Sequence, residues 1–254
     1  TDTAKDPTGL IIHKGKSVSG RLAKGDAVTL QVDNEKRRAT QRNHTATHIL
    51  HSVLKSVLGD HVKQAGSLVA PDRFRFDFSH FSLIDRDTLD KIEDLVNTRI
   101  RENVATDTVE MDAEDAFKSG ATALFEEKYG DRVRVVSLAD FSKELCGGTH
   151  VQHTGDIGFF KIVGESSVAS GVRRIEALTG KAAVEYVQQQ NGLLLETAHL
   201  FKERPEAVPP KVNKLMSDYK SLEKEVERLK SKLATLSAGA GGDESKEING
   251  VNVM

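Results

Sequence analysis

Two short spacings, far apart in the chain, carry its chemistry: His44-Thr45-Ala46-Thr47-His48 and Cys146-Gly147-Gly148-Thr149-His150. Together they offer three imidazoles and one thiolate, a donor set that suits zinc. On a helix, His44 and His48 stand one turn apart on one face, so both rings can reach a single ion. Cys146 and His150 cannot belong to a helix interior, because Gly147-Gly148 disfavours helix. The glycines permit a tight loop that turns thiolate and imidazole toward one point. Neither half decides alone. Among nine histidines a pair at this spacing arises by chance, and a lone cysteine is more often a buried, inert thiol. What joins them is that the chain's single cysteine falls inside the constellation. His153 is the rival ligand, and His51 is a further turn neighbour. Four protein ligands ordinarily close a structural zinc site, whereas catalytic zinc keeps a position open. A catalytic zinc here must expand its coordination, or hold the substrate while water attacks.

The elements that must bring these residues together read as a mixture of helices and strands without a regular βαβ rhythm, so the fold class is α+β. Residues 8–32 alternate short apolar runs with Gly and Lys. Leu10–Ile12, Lys16–Val18 and Ala27–Val32 are candidate strands of a small β-barrel. A helix is expected from Arg37 to about Leu58, stopped by Gly59. Lys63–Val69 and Arg73–Phe78 read as strands; in the second, Phe74, Phe76 and Phe78 alternate with Arg75 and Asp77. Asp87 can cap a helix that runs to about Arg101. Val104–Glu110 is a strand, Ala113–Lys118 a short helix, and Val133–Leu138 the strand leading to the cysteine loop. Phe159–Val163, Ser166–Ala169 and Gly171–Leu178 form a glycine-punctuated sheet, and a helix runs from Lys181 toward Phe201. Beyond it, Val212, Leu215, Tyr219, Leu222, Val226, Leu229, Leu233 and Leu236 make a heptad seam. That seam either packs as an antiparallel hairpin on the preceding helix or pairs with a second copy. Ser237–Asp243 reads as a flexible linker. The expected divisions are 1–36, the small β-barrel; 37–180, the domain holding the site; 181–236, the helical connection; and 237–254, a linker with the start of a further domain.

Composition bounds the function. The chain has 254 residues and a formal net charge of −2, so binding to nucleic acid must come from local basic patches. No apolar run approaches the roughly 20 residues that span a bilayer, and no signal peptide is recognised, so no membrane partner is expected. A single cysteine excludes an intramolecular disulfide framework and fits a reducing, cytoplasmic setting. The missing initiator Met and the ending Ile248–Met254, which reads as an incomplete strand, suggest a piece of a longer protein. Arg37, Arg38 and Arg42 are a candidate phosphate patch or a solvated face.

Five stretches resemble the editing domain of alanyl-tRNA synthetases: His44–His48, Gln64-Ala65-Gly66-Ser67, Arg73–His80, Cys146–His150 and Gly171–Ala177. The likeness extends over nearly the whole chain, with the heptad helix similar to that family's connection to its C-terminal domain. The resemblance implies hydrolysis of the ester joining serine or glycine to tRNA(Ala). A pocket that accepts alanine discriminates only modestly against such small differences, so a second, hydrolytic site is needed. By resemblance, His44, His48, Cys146 and His150 match zinc ligands. Thr47 matches a position that reads the serine hydroxyl, and Gln64 one beside the reaction centre. Ser67 lines the pocket, and Arg173 and Arg174 grip phosphates of the tRNA end.

Each residue also has a plainer reading. Thr47 can bond the carbonyl one turn back. Gln64 can be a solvated strand residue, and one arginine can pair with Glu176 or another acid. His80 is either a packing residue or a group behind the site. The rival functions are the related editing domain of threonyl-tRNA synthetases, a free-standing deacylase, and a non-catalytic tRNA-binding module with structural zinc. A dimer through the heptad helix or a following C-terminal domain is a further expected partner.

Overall fold

The computed structural model describes residues 2–123, 130–240, 246–248 and 250–253. Helix α1 (Asn34–Leu58) starts where the Asp33 side chain accepts a hydrogen bond from the Lys36 N–H, and it ends at Gly59, whose φ of 114° only glycine adopts readily. Its middle, from Asn43 to Leu54, is buried on nearly every side. Polar Asn43, Thr45, Thr47, His48 and His51 therefore go inside together with Ala46, Ile49 and Leu50, and each needs an internal partner.

The core lies between α1, α2 (Arg86–Arg101) and an antiparallel four-stranded sheet of order β3-β4-β9-β8. Its strands are β3 (Gln64–Val69), β4 (Phe74–Ser79), β8 (Phe160–Ala169) and β9 (Val172–Thr179). The alternation in β4 buries Phe74, Phe76 and Phe78 completely, and Asp77 between them is buried as well, on the opposite face. There Arg174 holds Asp77 through two hydrogen bonds of 2.7 and 2.9 Å. Helix α2 is capped by Asp85, whose carboxylate accepts from the Thr88 N–H at 2.7 Å. The expected cap Asp87 lies inside the first turn.

A second antiparallel sheet, β5-β6-β7, is built from Thr106–Asp112, Arg132–Leu138 and Ser142–Leu145, with α3 (Ala113–Lys118) packed on β5 and β6. It has its own small core of Ala116, Ala121, Val133, Val135 and Leu145. Strand β7 runs beside α1 and delivers the cysteine loop to it.

The ends depart from expectation. Instead of a β-barrel, the described N-terminal residues form one antiparallel ribbon, β1 (Asp2–Lys5) with β2 (Ile11–Lys14). Lys16–Val18 and Ala27–Val32 carry no strand. Leu10, Ile11, Val18, Leu22, Val28, Leu30 and Val32 all stay exposed, so their alternation finds no surface among the described residues to close against. Helix α4 (Gly180–Leu200) is followed by α5 (Val208–Ala240). The heptad seam is exposed at every residue from Leu215 to Leu236, as are Leu193, Leu194 and Leu195 of α4, so the expected hairpin packing does not form. The helix also continues to Ala240, into the expected linker, whose residues 241–243 lie outside the described residues. A short ribbon pairs β10 (Lys246–Ile248) with β11 (Val251–Val253).

Candidate metal centre

The buried part of α1 presents His44 and His48, and the loop after β7 presents Cys146 and His150. One donor atom from each lies within 4.8 Å of every other. The Cys146 sulfur is 3.5 Å from His44 Nε2 and 3.4 Å from His150 Nε2. Donors around a tetrahedral zinc stand about 3.3–3.8 Å apart, given bond lengths of about 2.0–2.3 Å. The three histidines and the cysteine therefore fit a metal ion in both chemistry and spacing. His153, the rival ligand, is exposed and starts a 3-10 turn (Thr154–Ile157), outside the cluster.

Each imidazole is held from behind through its other nitrogen. His44 Nδ1 lies 3.3 Å from the Thr149 carbonyl oxygen, and His150 Nδ1 lies 3.2 Å from Thr45 Oγ1. His48 Nδ1 bonds a Glu144 carboxylate oxygen, and the other oxygen takes His51 Nδ1 at 2.7 Å. A carbonyl and a carboxylate only accept, so His44 and His48 carry a proton on Nδ1 and turn Nε2 toward the cluster. Thr45 Oγ1 donates to the Gln41 carbonyl and accepts the Val151 N–H, which leaves it an acceptor for His150 Nδ1–H too.

The loop is fixed just as firmly. The Arg134 guanidinium donates to the Cys146 carbonyl at 2.9 Å and to the Gly148 carbonyl at 2.5 Å, and the Cys146 N–H donates back to the Arg134 carbonyl. Glycine at 148 is required by close approach, because a side-chain carbon there would overlap the His44 ring. Burial pushes the Cys146 thiol up, but hydrogen bonds from His150, His44 and His48 outweigh it and bring the pKa down to about 3. Burial works against charge on His48 as well, yet the Glu144 carboxylate and the Cys146 sulfur lift it to about 10. Glu144, despite a burial penalty, is held at about 2 by His48 and His51. The surroundings of Cys146 thus favour the thiolate that a metal needs.

Comparison with known proteins agrees with this arrangement. Residues 133–176 match the family model described as the threonyl and alanyl tRNA synthetase second additional domain. The alanine–tRNA ligase of Desulfosudis oleivorans is 58% identical over 255 residues, covering 100% of this chain and 29% of that protein. Those of Halorhodospira halophila and Acetivibrio thermocellus are 51% and 48% identical, covering 95% and 100% of this chain and 28% and 29% of the relatives. The chain is similar throughout to one segment of alanine–tRNA ligase. It spans less than a third of the length of those ligases.

In this ligase-like segment the other expected residues lie as follows. Thr47 is buried and its hydroxyl donates to the Asn43 carbonyl at 2.9 Å, leaving its oxygen lone pairs to accept. Gln64 opens β3, and its amide donates to Ser67 Oγ at 3.1 Å, so these two residues form one polar pair. Both arginines meet carboxylates: Arg174 pairs with Asp77 rather than Glu176, and Arg173 pairs with Glu165. His80 pairs with His61 at 2.9 Å and with Ser82, apart from the metal cluster, and burial, His61 and Arg173 hold its pKa below the ordinary value. Arg37 and Arg38 are exposed, whereas Arg42 is partly buried with an Nε that finds no partner among the described residues.

Sequence reasoning missed Thr45, Glu144 and Arg134. One signal was available for Glu144. It precedes Cys146 by two residues on an extended run, which puts both side chains on one side of the strand.

Proposed function

We propose that this chain is the editing part of an alanine–tRNA ligase, a zinc-dependent deacylase that removes serine or glycine from tRNA(Ala). The observation that carries this reading is the convergence of His44, His48, Cys146 and His150, each imidazole held from behind, in a chain similar throughout to alanine–tRNA ligases. The whole-length likeness favours the alanine family over the threonine family, since the shared family model spans only residues 133–176. The divisions at 36, 180 and 236 follow the same reading.

In the reaction, a water oxygen attacks the ester carbonyl carbon. The carbon–oxygen bond to the terminal ribose breaks, the ribose oxygen leaves as a hydroxyl with one of the water's protons, the other proton passes to solvent, and the amino acid departs as a carboxylate. Zinc, when bound, supplies positive charge for the substrate's amino group or for the attacking water. Thr47, already donating to Asn43, accepts a hydrogen bond from the hydroxyl of a seryl group. Gln64, tethered through its amide to Ser67, keeps its carbonyl oxygen free to orient water. Arg173 and Arg174 engage the phosphates of the tRNA end through whatever part of each guanidinium the carboxylates leave uncovered.

A closed four-ligand set also supports a second reading, a tRNA-binding module whose zinc is structural. Release of serine from seryl-tRNA(Ala), measured beside alanyl-tRNA(Ala), separates the two. Editing predicts rapid serine release, alanine spared, and loss of activity in Cys146→Ala. A folded, zinc-loaded protein that releases no serine, alone or within the full-length ligase, overturns the editing reading and leaves the structural one.

A further inference from the structure

Glu144 is 5% exposed and lies beside the cluster. A buried carboxylate next to a hydrolytic site invites the role of general base. The geometry argues for another role, because the carboxylate is buried and each of its oxygens is engaged by an imidazole Nδ1, one from His48 and one from His51. We propose instead that Glu144 is a positioning residue: it fixes His48 with Nε2 facing the metal, and His51 pins the carboxylate that does so. This rests on reading the cluster as a metal site.

The argument runs through three residues. His44, His48 and His51 form one stripe on α1, at i, i+4 and i+7. Only the first two reach the donor group. His51 stops one turn short, packs its ring 5.4 Å from Phe76, and leaves its Nε2 buried without a partner among the described residues. An aromatic hydrocarbon would fill that space and strand no nitrogen, so packing does not account for a histidine there. Its bond to Glu144 does. A carboxylate held by one donor alone can rotate about its terminal torsion, which is broad. Held by two, it keeps one oxygen aimed at His48. Residues behind metal-bound histidines commonly carry this much of the site's affinity.

Glu144→Gln tests the idea directly. An amide offers one acceptor oxygen to two Nδ1–H donors, so one imidazole must change tautomer. Zinc affinity, read by competition with a chromophoric chelator, is expected to fall about 10- to 100-fold. Nitrogen-resolved imidazole NMR of the zinc protein should show Nδ1–H on His48 in wild type and a mixed signal in the variant. His51→Phe, which keeps an aromatic ring of slightly larger size, should weaken zinc binding less and leave the cobalt-substituted absorption tetrahedral but shifted. Zinc affinity and His48 tautomer indistinguishable from wild type in both variants would overturn the proposal. If Glu144→Gln fails to fold, His51→Phe alone decides in the same way. A wild-type protein that binds no zinc sinks the metal reading itself, a result separate from any variant.

Discussion

Thr45 shows how much one hydroxyl can be asked to do. It donates to Gln41 and accepts from the Val151 N–H and the His150 ring, all at a fully buried position. Thr45→Val keeps the shape and strands two donors. Unmet buried donors cost about 1–3 kcal/mol each, so chemical denaturation should show a loss of that order, and His150 should bind zinc less well. Spacing alone brought out His44, His48, Cys146 and His150 because first-layer donors must be chemically distinctive and paired on one face or one turn. Thr45, Glu144 and Arg134 were not legible. Threonine, glutamate and arginine are common residues, and what singles these out is burial beside a partner about a hundred residues away, or across a strand pair. Gln64 and Ser67 were read as separate pocket residues, but their mutual bond is a product of how β3 bends at its start, where its register with β4 shifts.

At the scale of elements, strong periodic runs were readable. The phenylalanine alternation of β4 and the helical stretches of α1 and α2 follow from local pattern. The barrel at the N-terminus was misread because alternating apolar residues promise a buried face only when something covers it. The heptad seam of α5 did not give the hairpin within the chain for the same reason, and its exposure leaves pairing with a second copy open. The cap of α2 came from Asp85, two residues before the expected one, and it gives a pH test. Its carboxyl is held below the ordinary 3.8 by hydrogen bonds from the Thr88 backbone and hydroxyl. A depressed pKa stabilises the fold above the unfolded value, and that contribution is lost as pH falls through the folded one. Asp85→Ala should therefore be less stable than wild type at neutral pH, with the difference closing in strong acid. A gap that stays constant in urea melts down to pH 2 would refute this role.

For the whole molecule, the cluster is where two sheets and their cores meet. His44 and His48 belong to the helix of the larger core, and Cys146 follows a strand of the smaller one. A metal that binds only the folded state raises stability by linkage. Chelation is expected to lower the melting temperature, and restoring zinc to recover it, whereas Cys146→Ser, left with three imidazoles, should show a smaller shift with the chelator. No described helix is long and apolar enough to cross a membrane.

The partners His44 and Cys146 are separated by 102 positions in the chain. Translation adds about 5–20 residues each second. The first of the donors, His44, is therefore made roughly 5–20 seconds before the thiolate exists. During that interval Glu144 is missing too, and the polar stripe of α1 faces a half-built interior. Whatever order the rest of the chain follows, the centre can close only after Cys146 and His150 have been added, and a nascent chain stalled before Cys146 would hold two histidines with nothing to share.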